Sequence, residues 1–108
     1  MAGQSDLSAE DLKNLGNKAF GEGDFVNAER YYLDAIAINN ESHILYTNLA
    51  ATYLSLSKFP EALDAADKAI AIDATWLKAY FRKATALEKL GRHRESFEGP
   101  MLNTMSYL

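Results

Sequence analysis

Cysteine is absent from the 108 residues, which removes disulfides, thiolate metal sites and thiol catalysis at one stroke. A chain this small in an oxidising compartment usually carries disulfides, so the cytoplasm is expected, with the nucleus as a second compartment. Long apolar runs are also missing: nothing approaches the roughly 20 consecutive apolar residues of a membrane span. The N-terminal stretch MAGQSDLSAEDLKNLG is polar and acidic and does not read as a signal peptide. A basic excess is lacking, because 11 Lys and Arg face 15 Asp and Glu for a net charge of −4. That balance speaks against a general nucleic-acid binder while leaving room for a local basic patch.

The chemistry of catalysis is equally sparse. There is no glycine-rich phosphate loop, and the acidic residues are scattered as a solvated surface would have them, without a paired acid–base constellation. His43 and His93 stand alone at expected helix starts, with no partner at metal-ligand spacing, and read as surface or capping residues. No metal, no cofactor and no enzymatic activity are expected. Asn40-Glu41-Ser42 matches a glycosylation sequon, but without an export signal it is taken as chance.

What the chain does have is 48% apolar residues, enough for a packed core, and a repeat. Shifted by 34 positions, residues 9–42 align with 43–76 and share Asn14/Asn48, Leu15/Leu49, Phe25/Phe59, Ala28/Ala62 and the string AIAI at 35–38 and 69–72. A third copy opens at Leu77 and keeps Tyr46/Tyr80, Ala50/Ala84, Leu56/Leu90 and Glu61/Glu95. Each copy reads as two helices. The first copy has Leu12, Leu15, Ala19 and Phe20 at helical spacing over 10–22, then a Gly23-Asp24 turn. An apolar stripe of Ala28, Tyr31, Tyr32, Ala35, Ile36 and Ile38 follows over 25–38. The second copy predicts helices near 43–56 and 59–72, with Pro60 in a first turn where its missing N–H costs little. The third predicts a helix near 77–90, closed by Gly91-Arg92. Ala28, Ala62, Ala35 and Ala69 are expected where antiparallel helices cross, with Tyr46, Tyr53 and Tyr80 filling the space between layers. A helix pair of this kind cannot bury its own apolar face, so the pairs must stack. The aromatic residues, Trp76 included, fall on these stripes or at repeat junctions, which leaves no nucleic-acid stacking platform.

The period, the helix–turn–helix unit and the pattern of small and large residues resemble tetratricopeptide repeats. The resemblance covers residues 9–98, with Leu15-Gly16 and Leu49-Ala50 at the family's Leu-Gly position. The departures are Asn40 and Ala74 in place of the repeat-ending proline and Ala66 in place of an aromatic. It implies an all-α antiparallel helix-pair solenoid of about two and a half repeats. Their expected bounds are 9–42, 43–76 and a partial 77–98, behind a flexible N-terminus at 1–8. The first helices of each pair would line a groove.

Those helices carry polar residues that packing does not require. Lys13 and Asn17 are four apart, as are Lys78 and Arg82, and Asn48 lies on the helix between them. No acidic residue is expected on the matching faces before Glu88. Two lysines, an arginine and two asparagines suit a carboxylate-bearing ligand, since the cations supply charge and the amides supply directed donors. Phe20, Ala51 and Leu54 are candidates for an apolar pocket beside them. The set is similar to the two-carboxylate clamp of tetratricopeptide co-chaperones. The strings LKNLGNKAF, LYTNLAATY and LKAYFRKATALEKL are most like the first repeat domain of the heat-shock-organising co-chaperones. The resemblance implies a protein-binding adaptor for the Glu-Glu-Val-Asp C-terminus of 70-kDa or 90-kDa heat-shock proteins. Lys13, Asn17 and Asn48 would then hold the terminal carboxylate, and Lys78 and Arg82 the aspartate and upstream acidic groups.

The third copy breaks off. Its second helix, expected from His93, meets Gly99-Pro100, and proline inside a helix costs about 3 kcal/mol. Residues 99–108 are then a tail or a short surrogate cap. Either this tail covers Leu87 and Leu90, or those residues stay bare and the chain forms a homodimer or domain swap, the outcome preferred here. A third alternative is that the chain is a truncated product of a longer co-chaperone. The rival function is an assembly module that self-associates through its third repeat with an idle groove, or a scaffold for a different peptide.

Overall fold

A computed structural model describes residues 6–91. It contains five helices: α1 (Ala9–Gly21), α2 (Phe25–Ile38), α3 (His43–Ser55), α4 (Phe59–Ile72) and α5 (Leu77–Lys89). Each boundary lies within one residue of the sequence expectation. The order is two antiparallel pairs, α1–α2 and α3–α4, followed by α5. Neighbours in sequence pack on one another, and α3 also touches α5 across the top of α4. The architecture is the all-α tetratricopeptide solenoid that the repeat implies.

The ends of the helices have local causes. The Ser8 hydroxyl accepts the Asp11 N–H at 3.0 Å, while the Asp11 carboxylate accepts the Ser8 N–H at 3.1 Å, a reciprocal cap that starts α1. Leu7, within the segment read as a flexible N-terminus, packs against the core just ahead of it. Asp24 starts α2 by accepting the Asn27 N–H, and Ser42 starts α3 by accepting the Leu45 N–H at 3.2 Å. The serine of the apparent sequon is thus a helix cap. α4 has no side-chain cap and relies on Pro60 in its first turn.

The core is built from small residues. Ala28, Ala35, Ala50, Ala62, Ala66, Ala69, Ala79 and Ala86 are fully buried, with Leu12, Leu45, Leu49 and Tyr32 between them. The alanines at the expected crossings let the backbones approach closely. Tyr46 and Tyr53 are half-buried as inter-layer fillers. Tyr80 departs from that expectation: it is 43% exposed, and its hydroxyl turns to donate to the Ala74 carbonyl at 2.8 Å. Leu87 also departs from the bare-end reading, being 3% exposed, with Leu90 half-buried. The expected second helix of the third copy, His93 and the tail at 99–108 lie outside the described residues. Among the described residues no helix is long and apolar enough to cross a membrane.

Candidate functional site

Asn17 and Phe20 lie one turn apart on α1, Asn48 and Ala51 one turn apart on α3, and Arg82 on α5. Stacking brings the three helices side by side, and these five residues, with Gly21 and Tyr32, line one cavity of about 220 Å³. The lining holds two amides, a phenol and a guanidinium but no carboxylate, in a protein of net charge −4. A larger hollow of about 430 Å³ lies along α2, α3 and α4, where Tyr46 and Tyr53 stand beside Glu61 and Asp64. Lys68 also lines it, paired with Asp64 at 3.2 Å, so two acids against one base make it less suited to an anionic ligand than the smaller cavity.

The polar atoms of the cavity form a short chain. The buried Tyr32 hydroxyl donates to Asn17 Oδ1 at 2.5 Å, and Asn48 Nδ2 donates to the same oxygen at 3.2 Å. Arg82 rests its guanidinium 5.5 Å from the Phe81 ring centroid, and its Nε is buried with no hydrogen-bond partner among the described residues. Burial pushes the Tyr32 phenol up to about 12, so it remains a donor throughout the neutral range. Phe20 meets Phe25 edge-on at 5.2 Å and gives the cavity an apolar wall.

The remaining expected site residues lie around the cavity. Lys13 sits one turn before Asn17 on α1, and its ammonium is 3.2 Å from Glu10. The face read as free of acidic residues therefore begins with one. Lys78 is exposed on α5, one turn before Arg82, with its ammonium 5.9 Å from the Trp76 ring. Leu54 is half-exposed on α3 and does not line the cavity. Tyr32 and Gly21 line it without having been singled out from the sequence. Tyr32 was legible only as one member of the apolar stripe on α2.

His43 is more than a lone surface residue. It opens α3, packs edge-on against Trp76 at 4.8 Å and places Nε2 3.7 Å from the Asp73 carboxylate. It thus ties the start of α3 to the loop that leads from α4 into α5.

With this geometry in hand, comparison with known proteins is informative. No family model matches the chain. The Hsp70-Hsp90 organising protein of Plasmodium falciparum is 46% identical over 78 residues, which cover 72% of this chain and 31% of that protein. The chain therefore spans less than a third of that relative's length. A solved structure of the second TPR of Spaghetti (RPAP3), bound to the HSP90 peptide SRMEEVD, superposes with a TM-score of 0.82. It is 33% identical and covers 90% of both chains. The second TPR domain of human RPAP3 in complex with the HSP70 peptide SGPTIEEVD gives a TM-score of 0.78 at 33% identity, over 87% of this chain and 81% of that one. The chain belongs to the tetratricopeptide repeat family, as a domain of the kind found in Hsp70–Hsp90 organising co-chaperones.

Proposed function

We propose that the chain is a protein-binding adaptor that grips the Glu-Glu-Val-Asp C-terminus of 70-kDa or 90-kDa heat-shock proteins through a two-carboxylate clamp. The observation that carries this reading is the cavity itself: amide and guanidinium donors from three successive repeats converge in it, with no carboxylate among them. Two structural relatives were solved with peptides of this ending.

In this reading Asn17 and Asn48 direct N–H groups at the terminal carboxylate, with Lys13 supplying charge from above. Its bond to Glu10 is an exposed pair of little net worth, so exchanging Glu10 for a ligand carboxylate costs little. Arg82 presents its guanidinium, and with Lys78 it takes the aspartate side chain and upstream acidic groups. Charge-assisted hydrogen bonds contribute about 1.5–3 kcal/mol each. A few of them acting together give micromolar binding, near −8 kcal/mol.

The test is a titration with a peptide ending in Glu-Glu-Val-Asp and with the same peptide amidated at its C-terminus. Trp76, the single tryptophan, lies beside Lys78 and reports occupancy by its fluorescence. The free acid should bind at least about tenfold more tightly than the amide. Lys78→Ala should remove most of the affinity with helicity unchanged. Equal affinity for acid and amide would sink the clamp.

Assembly through the third repeat is the second reading. It draws on the exposure of Leu77 (78%) and Phe81 (63%), which lie one turn apart on α5. Sedimentation showing only monomer at high concentration would remove it.

A further inference from the structure

Asn17 can serve a carboxylate only if its amide nitrogen, and not its oxygen, faces the cavity. The two ends of an asparagine amide are nearly identical in shape, so something must fix the choice. An amide oxygen has two acceptor positions, and both are taken on Asn17 Oδ1, by Tyr32 Oη at 2.5 Å and by Asn48 Nδ2 at 3.2 Å. The bond from Asn48 cannot decide the matter alone. If both amides turned over together, Asn17 would donate to Asn48 and the pair would be equally well bonded. The Tyr32 hydroxyl breaks that symmetry. It is 2% exposed, and Asn17 is its one hydrogen-bond partner among the described residues. Turning Asn17 over would strand the hydroxyl proton in a buried place.

The sequence shows how the hydroxyl comes to lie beside Asn17. Room for the Tyr32 ring comes from Gly16, where an added Cβ would lie 2.6 Å from Tyr32 Cε1. At the three matching positions of the second repeat, 34 residues on, the chain has Ala50, Ala51 and Ala66. Glycine, asparagine and tyrosine thus occur together in one repeat and are replaced together in the next. The second repeat, with alanine at all three positions, has no tyrosine hydroxyl at the place of Tyr32 and no amide at the place of Asn17.

We infer that Tyr32 is a positioning residue for carboxylate recognition, whose buried hydroxyl holds the Asn17 amide with Nδ2 turned into the cavity. The inference rests on the clamp reading above. It is tested with Tyr32→Phe, Asn17→Ala and the double variant, each titrated with a free-acid and an amidated Glu-Glu-Val-Asp peptide. Tyr32→Phe keeps the ring and should lower affinity for the free acid by about tenfold while leaving the amide unchanged. In the Asn17→Ala background the same change should have no further effect, because Tyr32 acts through Asn17. Wild-type affinity in Tyr32→Phe, or an equal loss with Asn17 already removed, would overturn the inference. Wild-type protein that does not distinguish acid from amide overturns the clamp instead. Asn17→Asp provides a variant that leaves Tyr32 untouched. It keeps an oxygen for Tyr32 and Asn48 but has no N–H for the ligand, so free-acid binding should fall by more than tenfold, and retained binding would overturn the inference.

Discussion

Gly16 and Tyr32 fill one space between α1 and α2, and Ala50 and Ala66 fill the equivalent space between α3 and α4 with the volume divided differently. This makes the effect of adding a methyl group depend on its partner. In the interior of a helix alanine ordinarily stabilises by about 1 kcal/mol over glycine. At Gly16 the new Cβ would press on the Tyr32 ring at 2.6, 2.8 and 3.0 Å from three of its carbons. Gly16→Ala should therefore lower stability by roughly 1–3 kcal/mol, the usual cost of overpacking. With Tyr32→Ala already present, the same substitution should raise stability, recreating the alanine pair of the second repeat. Urea unfolding of the four proteins checks this, and a Gly16→Ala single variant more stable than the parent would contradict it. The residue scale is also where sequence reading was least complete. Lys13, Asn17, Asn48, Lys78 and Arg82 were found because spacing and family likeness single them out. Tyr32 was not, because a tyrosine in an apolar stripe is first a packing residue. Its hydroxyl gains a role only when α2 lies against α1 and brings it to Asn17. The same limit applies to Leu54, which sits at helical spacing from Ala51 yet lies outside the cavity, and to Lys13, whose contact with Glu10 spans a single turn.

At the scale of elements, the turn that closes the first helix of each repeat recurs with the same period as the sequence. Gly23, Ser57 and Gly91 are 34 residues apart, and all have positive φ, at 78°, 59° and 75°. Around the first two the hydrogen bonds match: Asp24 N–H to Ala19 O and Lys58 N–H to Tyr53 O, both at 2.8 Å. The glycines made two of these turns legible and set the helix boundaries to within a residue. The third turn forms on serine because the flanking helices impose it. Left-handed backbone costs a non-glycine residue about 1–2 kcal/mol, offset in part by the greater freedom glycine loses on folding. Ser57→Gly should therefore stabilise the protein by about 0.5–1 kcal/mol, seen as a higher urea midpoint with unchanged slope. Gly23→Ser should shift the midpoint the other way by a similar amount. If both substitutions moved it in the same direction, turn conformation would not be the controlling variable.

At the scale of the whole molecule, contacts in both repeats have protonation states that influence its stability at the two ends of the pH range. On the acid side Asp73, in the loop from α4 to α5, accepts the Thr75 hydroxyl at 2.6 Å and the Thr75 N–H at 3.0 Å, with His43 nearby. These bonds, the hydroxyl first, hold its carboxyl below the ordinary value of 3.8. A depressed carboxyl stabilises the folded state above that ordinary value, and the contribution is lost as pH falls through the lower folded value. On the alkaline side burial raises Tyr32 from 10.0 to about 12. Tyr53 is raised as well, by burial and then by Glu29, Glu61 and Asp64. A raised phenol has the opposite sign: its stabilisation is complete below pH 10 and is lost as pH climbs towards 12. The unfolding midpoint should thus be level from about pH 4 to pH 10 and fall on either side. For Tyr32 the alkaline loss is on the order of 2 kcal/mol, because the buried hydroxyl must give up its proton away from water. Tyr32→Phe cannot ionise, so its midpoint should decline less between pH 10 and 12 than that of the parent. Asp73→Asn should likewise flatten the acid side while leaving the alkaline side as it was. Thermal unfolding followed by helicity from pH 3 to 12 separates the two. A Tyr32→Phe protein that loses stability above pH 10 as steeply as the parent would show that Tyr32 does not set the alkaline limit, and that another raised group, Tyr53 or Lys18, does.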